Sequence, residues 1–281
     1  MEPPIIIRGL EKSFHVRGRR IMALRGIDMT VRTGEVFGLL GPNGSGKSTA
    51  LRLLMGLARP DAGECALFGG PAADRVWLGR VGYLPETLSF FEHSTGFDHL
   101  RMLGRVGGLR GAGLGDAVDR AAELTGIAAY ADRPVRTYSK GMRQRLGWAQ
   151  AILHDPALLI LDEPTTGLDP LAKEAFQGLV AEWRAADKTV LLCTHELDEA
   201  ERLCDRVSVL HAGRVLMEGT PKAFSGGNGE VFRLSGLGSA AEARLMAWLG
   251  EEGIACERMA AGGLRAAILE KLRTARPGGG A

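Results

Sequence analysis

The passage that most constrains the fold runs from Val36 to Leu57. Val36-Phe37-Gly38-Leu39-Leu40 is a continuous apolar run, as expected of a strand buried on both faces of a parallel sheet. It leads straight into Gly41-Pro42-Asn43-Gly44-Ser45-Gly46-Lys47-Ser48, and from Thr49 to Leu57 the residues Leu51, Leu54 and Met55 recur at helical spacing. A loop of the form Gly-x4-Gly-Lys-Ser between a buried strand and a helix is a phosphate-binding pattern. Its glycines let the backbone curl until successive N–H groups point inward, and the helix that follows adds its positive dipole end. Gly41, Pro42, Asn43, Gly44, Ser45, Gly46, Lys47, Ser48 and Thr49 are therefore expected to cradle nucleotide phosphates. Lys47 is expected to reach the β- and γ-phosphates, and the Ser48 hydroxyl to ligate Mg²⁺. The motif does not say which nucleotide.

The rest of the chain repeats the alternation of strand and helix. Ile5-Ile6-Ile7 and Ile27 to Val31 read as strands, the second with the alternation of a half-buried one. Val81 to Leu84 looks like a buried strand ended by Pro85, and Ala157 to Leu161 is a further apolar run. A helix from about Leu171 to Ala185, a strand at Thr189 to Cys193, a helix after His195 and a strand at Val207 to Leu210 follow. From about Thr87 to His154 the apolar spacing is mostly helical, with a glycine-rich break near 107–115. Strands alternating with helices imply an α/β fold around a parallel sheet covered on both faces.

A loop, Ser225-Gly226-Gly227-Asn228-Gly229, sets apart a tail of different character. In it, Glu230 to Leu234 and Ala255 to Met259 suggest strands, while Ala240 to Leu249 and Leu264 to Leu272 suggest helices. The expected organisation is a main domain over 1–225, a small α+β accessory module over 229–275 and a disordered end over 276–281.

Composition narrows the function classes. Apolar residues make up 45% and charged residues 24% of the 281, which argues against wholesale disorder. A formal net charge of +2 gives no sign of a nucleic-acid partner, and none is expected. Cys65, Cys193, Cys204 and Cys256 are too far apart for a C-x-x-C metal or redox pair, so reduced thiols are expected. No apolar run approaches the roughly 18 residues a membrane span needs, and the start lacks the pattern of a signal peptide. A cytoplasmic location is expected, with any membrane role exercised through a partner.

Asp162 closes the run Ala157 to Leu161 and is followed by Glu163. An acidic residue there can hold Mg²⁺ from the side opposite Ser48, and Glu163 can polarise the water that attacks a γ-phosphate. Four more segments then fall in a telling order: Tyr83-Leu84-Pro85-Glu86, Tyr138-Ser139-Lys140-Gly141-Met142-Arg143-Gln144-Arg145, Asp162-Glu163-Pro164-Thr165-Thr166-Gly167-Leu168-Asp169, and Thr194-His195. They resemble the Q-loop, the signature, the second Walker motif with its D-loop, and the switch histidine of ATP-binding-cassette (ABC) ATPases. The resemblance covers roughly residues 5–220 and lies nearest the exporter-type branch, in which the membrane protein is a separate chain.

The resemblance implies a RecA-like core with an antiparallel β subdomain and a helical subdomain at about 87–154. It implies ATP and Mg²⁺ bound at the seam of two head-to-tail copies. Ser139 and Gly141 would touch the γ-phosphate held by the other copy, His195 would hydrogen-bond it, and Asp169 would connect the two sites. Phe14 matches the aromatic that stacks on adenine, and Glu86 matches a residue that ligates Mg²⁺ or its water. Two positions depart from the pattern. Lys140 replaces the first of two adjacent glycines, and could add positive charge near phosphate or point to solvent. Glu86 stands where many members have Gln. The function implied is ATP hydrolysis coupled to export through a separate integral-membrane permease, with the chain peripheral on the inner face of the membrane. The segments also resemble the ATPase of a copper- or sulfur-handling exporter that matures nitrous-oxide reductase. A soluble family member in translation or DNA repair is the alternative of another class, but those usually carry two cassettes or a long coiled coil, and no sustained heptads occur here. A GTPase reading lacks an Asn-Lys-x-Asp segment.

Overall fold

A computed structural model describes residues 2–16, 18–221 and 239–251. The chain divides into two compact units, Met1–Leu237 and Gly238–Ala281.

The first unit holds two sheets. β1 (Ile5–Val16) pairs antiparallel with β2 (Arg19–Val31) and with β4 (Ala62–Leu67), and the two-residue β5 (Gly70–Pro71) completes a four-stranded antiparallel sheet. The second sheet has six strands in the order β10-β9-β3-β8-β7-β6. Its members are β3 (Val36–Leu40), β6 (Val81–Leu84), β7 (Leu158–Asp162), β8 (Thr189–Thr194), β9 (Arg206–His211) and β10 (Arg214–Gly219). All but the edge strand β10 run parallel.

β3, β7 and β8 are buried at every position, which accounts for apolar runs without alternation. Phe37, Leu39, Leu158, Ile160, Leu191 and Cys193 turn one face of this sheet into a core shared with α1 (Lys47–Leu54) and the antiparallel sheet. Leu159, Leu161, Val190 and Leu192 are buried as well, on the alternate positions of the same strands. Gly38 needs no side chain, because a Cβ there would press on Val207 and Cys204 of the segment alongside.

Three helices form the expected helical region: α2 (Gly96–Val106), α3 (Gly111–Leu124) and α4 (Lys140–Ile152). The glycine-rich break is shorter than its composition suggests, because Gly111, Gly113 and Gly115 all lie inside α3. That helix buries Leu114, Ala117, Val118, Ala121 and Ala122, and this packing outweighs the roughly 1 kcal/mol each glycine costs. The stretch 85–95 before α2 is not helical. α5 (Pro170–Ala185) and the short α6 (Leu197–Leu203) complete the unit. α1 starts two residues ahead of the expected Thr49, and β1 and β2 extend well beyond the short strands read from the sequence.

In the second unit the described residues form one helix, α7 (Ser239–Glu251), where Ala240 to Leu249 was expected to be helical. The strands expected at Glu230 to Leu234 and Ala255 to Met259, the helix at Leu264 to Leu272 and the end over 276–281 lie outside the described residues.

Candidate nucleotide site

Parallel strands deliver their carboxyl ends to one edge of a sheet. Here β6, β7, β8 and β3 end at Leu84, Asp162, Thr194 and Leu40, and register pairs Leu84 with Leu161, Asp162 with Cys193 and Leu40 with Thr194. The residues that follow these ends, Glu86, Glu163, His195 and the loop from Gly41, are thereby gathered from distant parts of the sequence. Asn43 to Thr49, Ala23, Glu86 and Glu163 line an open cleft of about 310 Å³.

The loop's shape depends on glycine at two points. Gly41 has φ +150°, and a Cβ there would run into the Leu210 carbonyl. Gly46, with φ +116°, caps α1 and would drive a Cβ against the Ala23 carbonyl. Lys47, 5% exposed, donates from Nζ to the Gly41 carbonyl at 2.6 Å and lies 3.5 Å from Glu163 Oε1.

Glu163 is the junction of the site. Its φ is +51°, unusual for a residue with a side chain, and its backbone N–H continues the β7–β8 ladder to the Cys193 carbonyl at 2.9 Å. Its Oε2 lies 2.8 Å from His195 Nδ1 and accepts from Thr166 Oγ1 at 3.1 Å, while the buried Oε1 has no hydrogen-bond partner.

Beside it, Asp162 is 3% exposed and its Oδ1 is also without a partner. Burial, with the negative charges of Glu86 and Glu163, pushes its carboxyl up to about 6, opposed by the Ser48 hydroxyl and Lys47. The same burial, together with Asp162, holds the Tyr83 phenol up at about 12. A buried carboxylate oxygen left unpaired opposite a hydroxyl, with Glu86 lining the same cleft, fits a hard cation held by oxygen. Among the described residues no three His, Cys, Asp or Glu side chains could hold a metal ion. A cation that keeps water and phosphate ligands, as Mg²⁺ does, fits the oxygens that Asp162, Ser48 and Glu86 offer here.

Not every expected site residue joins the cleft. Ser139 is an exposed N-cap of α4 whose Oγ accepts from the Met142 N–H at 3.3 Å, and Gly141 follows in the first turn with open space where a Cβ would be. Asp169 is likewise an exposed N-cap, of α5, accepting from the Ala172 N–H at 2.8 Å. Phe14 lies on β1 opposite Ile21, 39% exposed, with Lys12 Nζ 5.6 Å from its ring centre; it is outside the cleft lining. Lys140 is exposed, as one of the two orientations considered from the sequence has it. Its ammonium occupies the space that a Cβ on Gly167 would fill, against the loop after β7.

Sequence reasoning missed Ala23 on β2, Thr166 as a partner of Glu163, and Trp148, whose Nε1 donates to the Pro164 carbonyl at 3.3 Å. Ala23 carries no sequence signal. Thr166 stands within the second Walker segment and was legible as a neighbour, though not as a ligand.

The family model described as ABC transporter matches residues 24–166. The chain belongs to the ABC transporter family. It is 40% identical over 222 residues to the Nod factor export ATP-binding protein I of Rhizobium sp. (strain N33), a match covering 78% of this chain and 72% of that one. An uncharacterized ABC transporter ATP-binding protein of Nostoc sp. (strain PCC 7120 / SAG 25.82 / UTEX 2576) is 39% identical over 204 residues. That match covers 72% of this chain and 61% of the relative's length. A solved ATP-binding subunit of an ABC transporter superposes with a TM-score of 0.72 at 30% identity, covering 89% of this chain and 99% of that one.

Proposed function

We propose that this ABC subunit binds Mg²⁺-ATP in the cleft above β3, closes on a second copy of itself, and drives export through a separate integral-membrane permease. The observation that carries the reading is the buried convergence on Glu163. One of its oxygens is held by His195 and Thr166, and the other makes no hydrogen bond and faces the lysine of the phosphate loop at 3.5 Å.

In this reading the loop amides and the start of α1 receive the phosphates, and Lys47 turns from the Gly41 carbonyl to the β- and γ-phosphates. Lys47 and Glu163 neutralise each other until ATP arrives. When the phosphates take the lysine, Glu163 Oε1 becomes an acceptor aimed at the attacking water. Oε2 keeps His195 oriented toward the γ-phosphate. Ser48 and Asp162 would hold Mg²⁺, with Glu86 in reach of its water. The ion's chemistry is neutralisation of charge on the β- and γ-phosphate oxygens.

Ser139, Gly141 and Asp169 act on the copy across the seam, which is consistent with the exposure of Ser139 and Asp169 and with the place of all three at two helix starts outside their own cleft lining. The export direction rests on the Nod factor export name of the Rhizobium relative. Among the described residues no helix is long and apolar enough to cross a membrane. In this reading the chain attaches to the inner face of the membrane through the permease.

The test uses Glu163→Gln. The variant should retain ATP binding, lose turnover by about 100-fold or more, and co-purify from solubilised membranes with a multi-span protein when ATP and Mg²⁺ are present. Parental turnover would remove Glu163 from the chemistry. Capture of ribosomal or DNA-repair proteins in place of a permease would overturn the transport reading.

A further inference from the structure

Glu199 is 6% exposed and takes no part in the chemistry above. It sits in the first turn of α6, four residues after His195, on a helix whose sequence looks like an ordinary solvated face. Its Oε1 accepts from Thr165 Oγ1 at 2.6 Å, and Thr165 is itself 2% exposed. The same carboxyl lies beside the Thr194 hydroxyl, and its Oε2 is buried without a hydrogen-bond partner.

A glutamate at the third helical position commonly reaches back to the capping N–H. Here it does not. The N–H of Glu196, the capping residue, is already taken by Thr194 Oγ1 at 3.1 Å. The carboxyl is directed instead between two loops, the one after β7 that carries Glu163 and the one after β8 that carries His195.

Glu163 explains what such a clamp does. A side-chain-bearing residue at φ +51° is strained and persists only when its surroundings over-determine it. On its amino side Glu163 is fixed by the ladder bond to Cys193. On its carboxyl side, Pro164 is fixed by Trp148 and Thr165 by Glu199. Farther out, Lys173 Nζ pairs with Glu196 at 2.5 Å, but both side chains are about a third exposed, and solvent weakens that bridge. The buried link is the one between Thr165 and Glu199.

We propose that Thr165 and Glu199 are positioning residues. They clamp the loop after β7 to the start of α6, so that Glu163 keeps its strained backbone and stays aligned with His195. The inference rests on Glu163 being the group that acts on the attacking water. Neither residue lines the cleft, so loss of the clamp lowers turnover and leaves ATP binding as it was.

Steady-state ATP hydrolysis by the full chain tests this. Thr165→Val keeps the shape and removes the donor. It should lower kcat about tenfold or more while KM for ATP stays within about twofold. Thr165→Ser, which restores a hydroxyl, should recover most of the rate. Glu199→Leu should reproduce the loss. The double variant should be no slower than Glu199→Leu alone, because that substitution already removes the bond to Thr165. Parental kcat in Thr165→Val, equal effects on kcat and KM, or multiplicative losses in the double variant would each overturn the clamp. Glu163→Gln, run alongside, separates the two readings. If it turns over normally, the proposed chemistry fails. If it is inactive while Thr165→Val is unaffected, only the clamp fails.

Discussion

Asp162→Asn gives a quantitative test of the site in the absence of ligand. The Asp162 carboxyl ionises near 3.8 when unperturbed, and in the folded chain it is held up at about 6 by burial and by Glu86 and Glu163. The sign follows from proton binding. Between these two values the folded chain keeps the proton and the unfolded chain releases it, so raising the pH through this window costs stability. Above the folded value the full cost remains, about 3 kcal/mol at 1.36 kcal/mol per unit. Asn has nearly the same shape and no charge. At pH 8 and without Mg²⁺ or nucleotide, Asp162→Asn should therefore be more stable than the parent by up to about 3 kcal/mol. The gain should shrink to about 1 kcal/mol near pH 4.5. For a unit of this size each kcal/mol moves Tm by about 2–4 °C, so thermal unfolding followed in parallel across pH resolves the difference. Saturating Mg²⁺-ATP should reverse the order, because ligand stabilises only the form that binds it. A difference between the two proteins that does not change with pH, or a parent more stable at pH 8 without ligand, would refute the reasoning.

Other substitutions separate the remaining roles. Lys47→Ala should weaken ATP binding by roughly 10- to 150-fold, the range of one charge-assisted hydrogen-bonded contact, as measured by equilibrium titration; unchanged affinity would remove Lys47 from the phosphates. Ser139→Ala should cost about 1 kcal/mol of stability as a lost cap, seen in denaturant unfolding, and should also abolish ATP-driven dimerisation while the monomer still binds ATP. Asp169→Ser should keep the cap of α5 and its stability, since both side chains cap well, so a fall in turnover without a fall in Tm would assign Asp169 a role across the seam.

Much of the site was legible in the sequence because its groups sit at the ends of strongly patterned elements. The apolar run ending at Leu40 and the one ending at Leu161 announced buried strands, and the chemistry follows each of them at once. The switch histidine follows a third such run. What was not legible depends on contacts between loops. The extent of β1 and β2 was missed because their outer halves mix exposed charged residues with apolar ones and show no regular alternation of burial; their pairing with each other and with β4 makes them strands. The glycines of α3 read as a loop because propensity is local, whereas the packing of Leu114, Val118 and their neighbours is not. Glu199 looked like any solvated helical glutamate, since nothing near it in sequence reveals that Thr165 lies against it.

The sequence by itself determined the elements, the phosphate loop and the kinds of group available for phosphoryl chemistry, because strand burial, glycine content and residue type are written locally. Only the tertiary structure decided which groups meet. Parallel pairing of β3, β8, β7 and β6 sets Lys47, Glu163, His195 and Glu86 along one edge, and burial there leaves Asp162 and Glu163 each with an oxygen that makes no hydrogen bond. Burial and charge act through space, so the raised ionisation of Asp162, the left-handed backbone of Glu163 and the clamp behind it exist only once the strands are side by side.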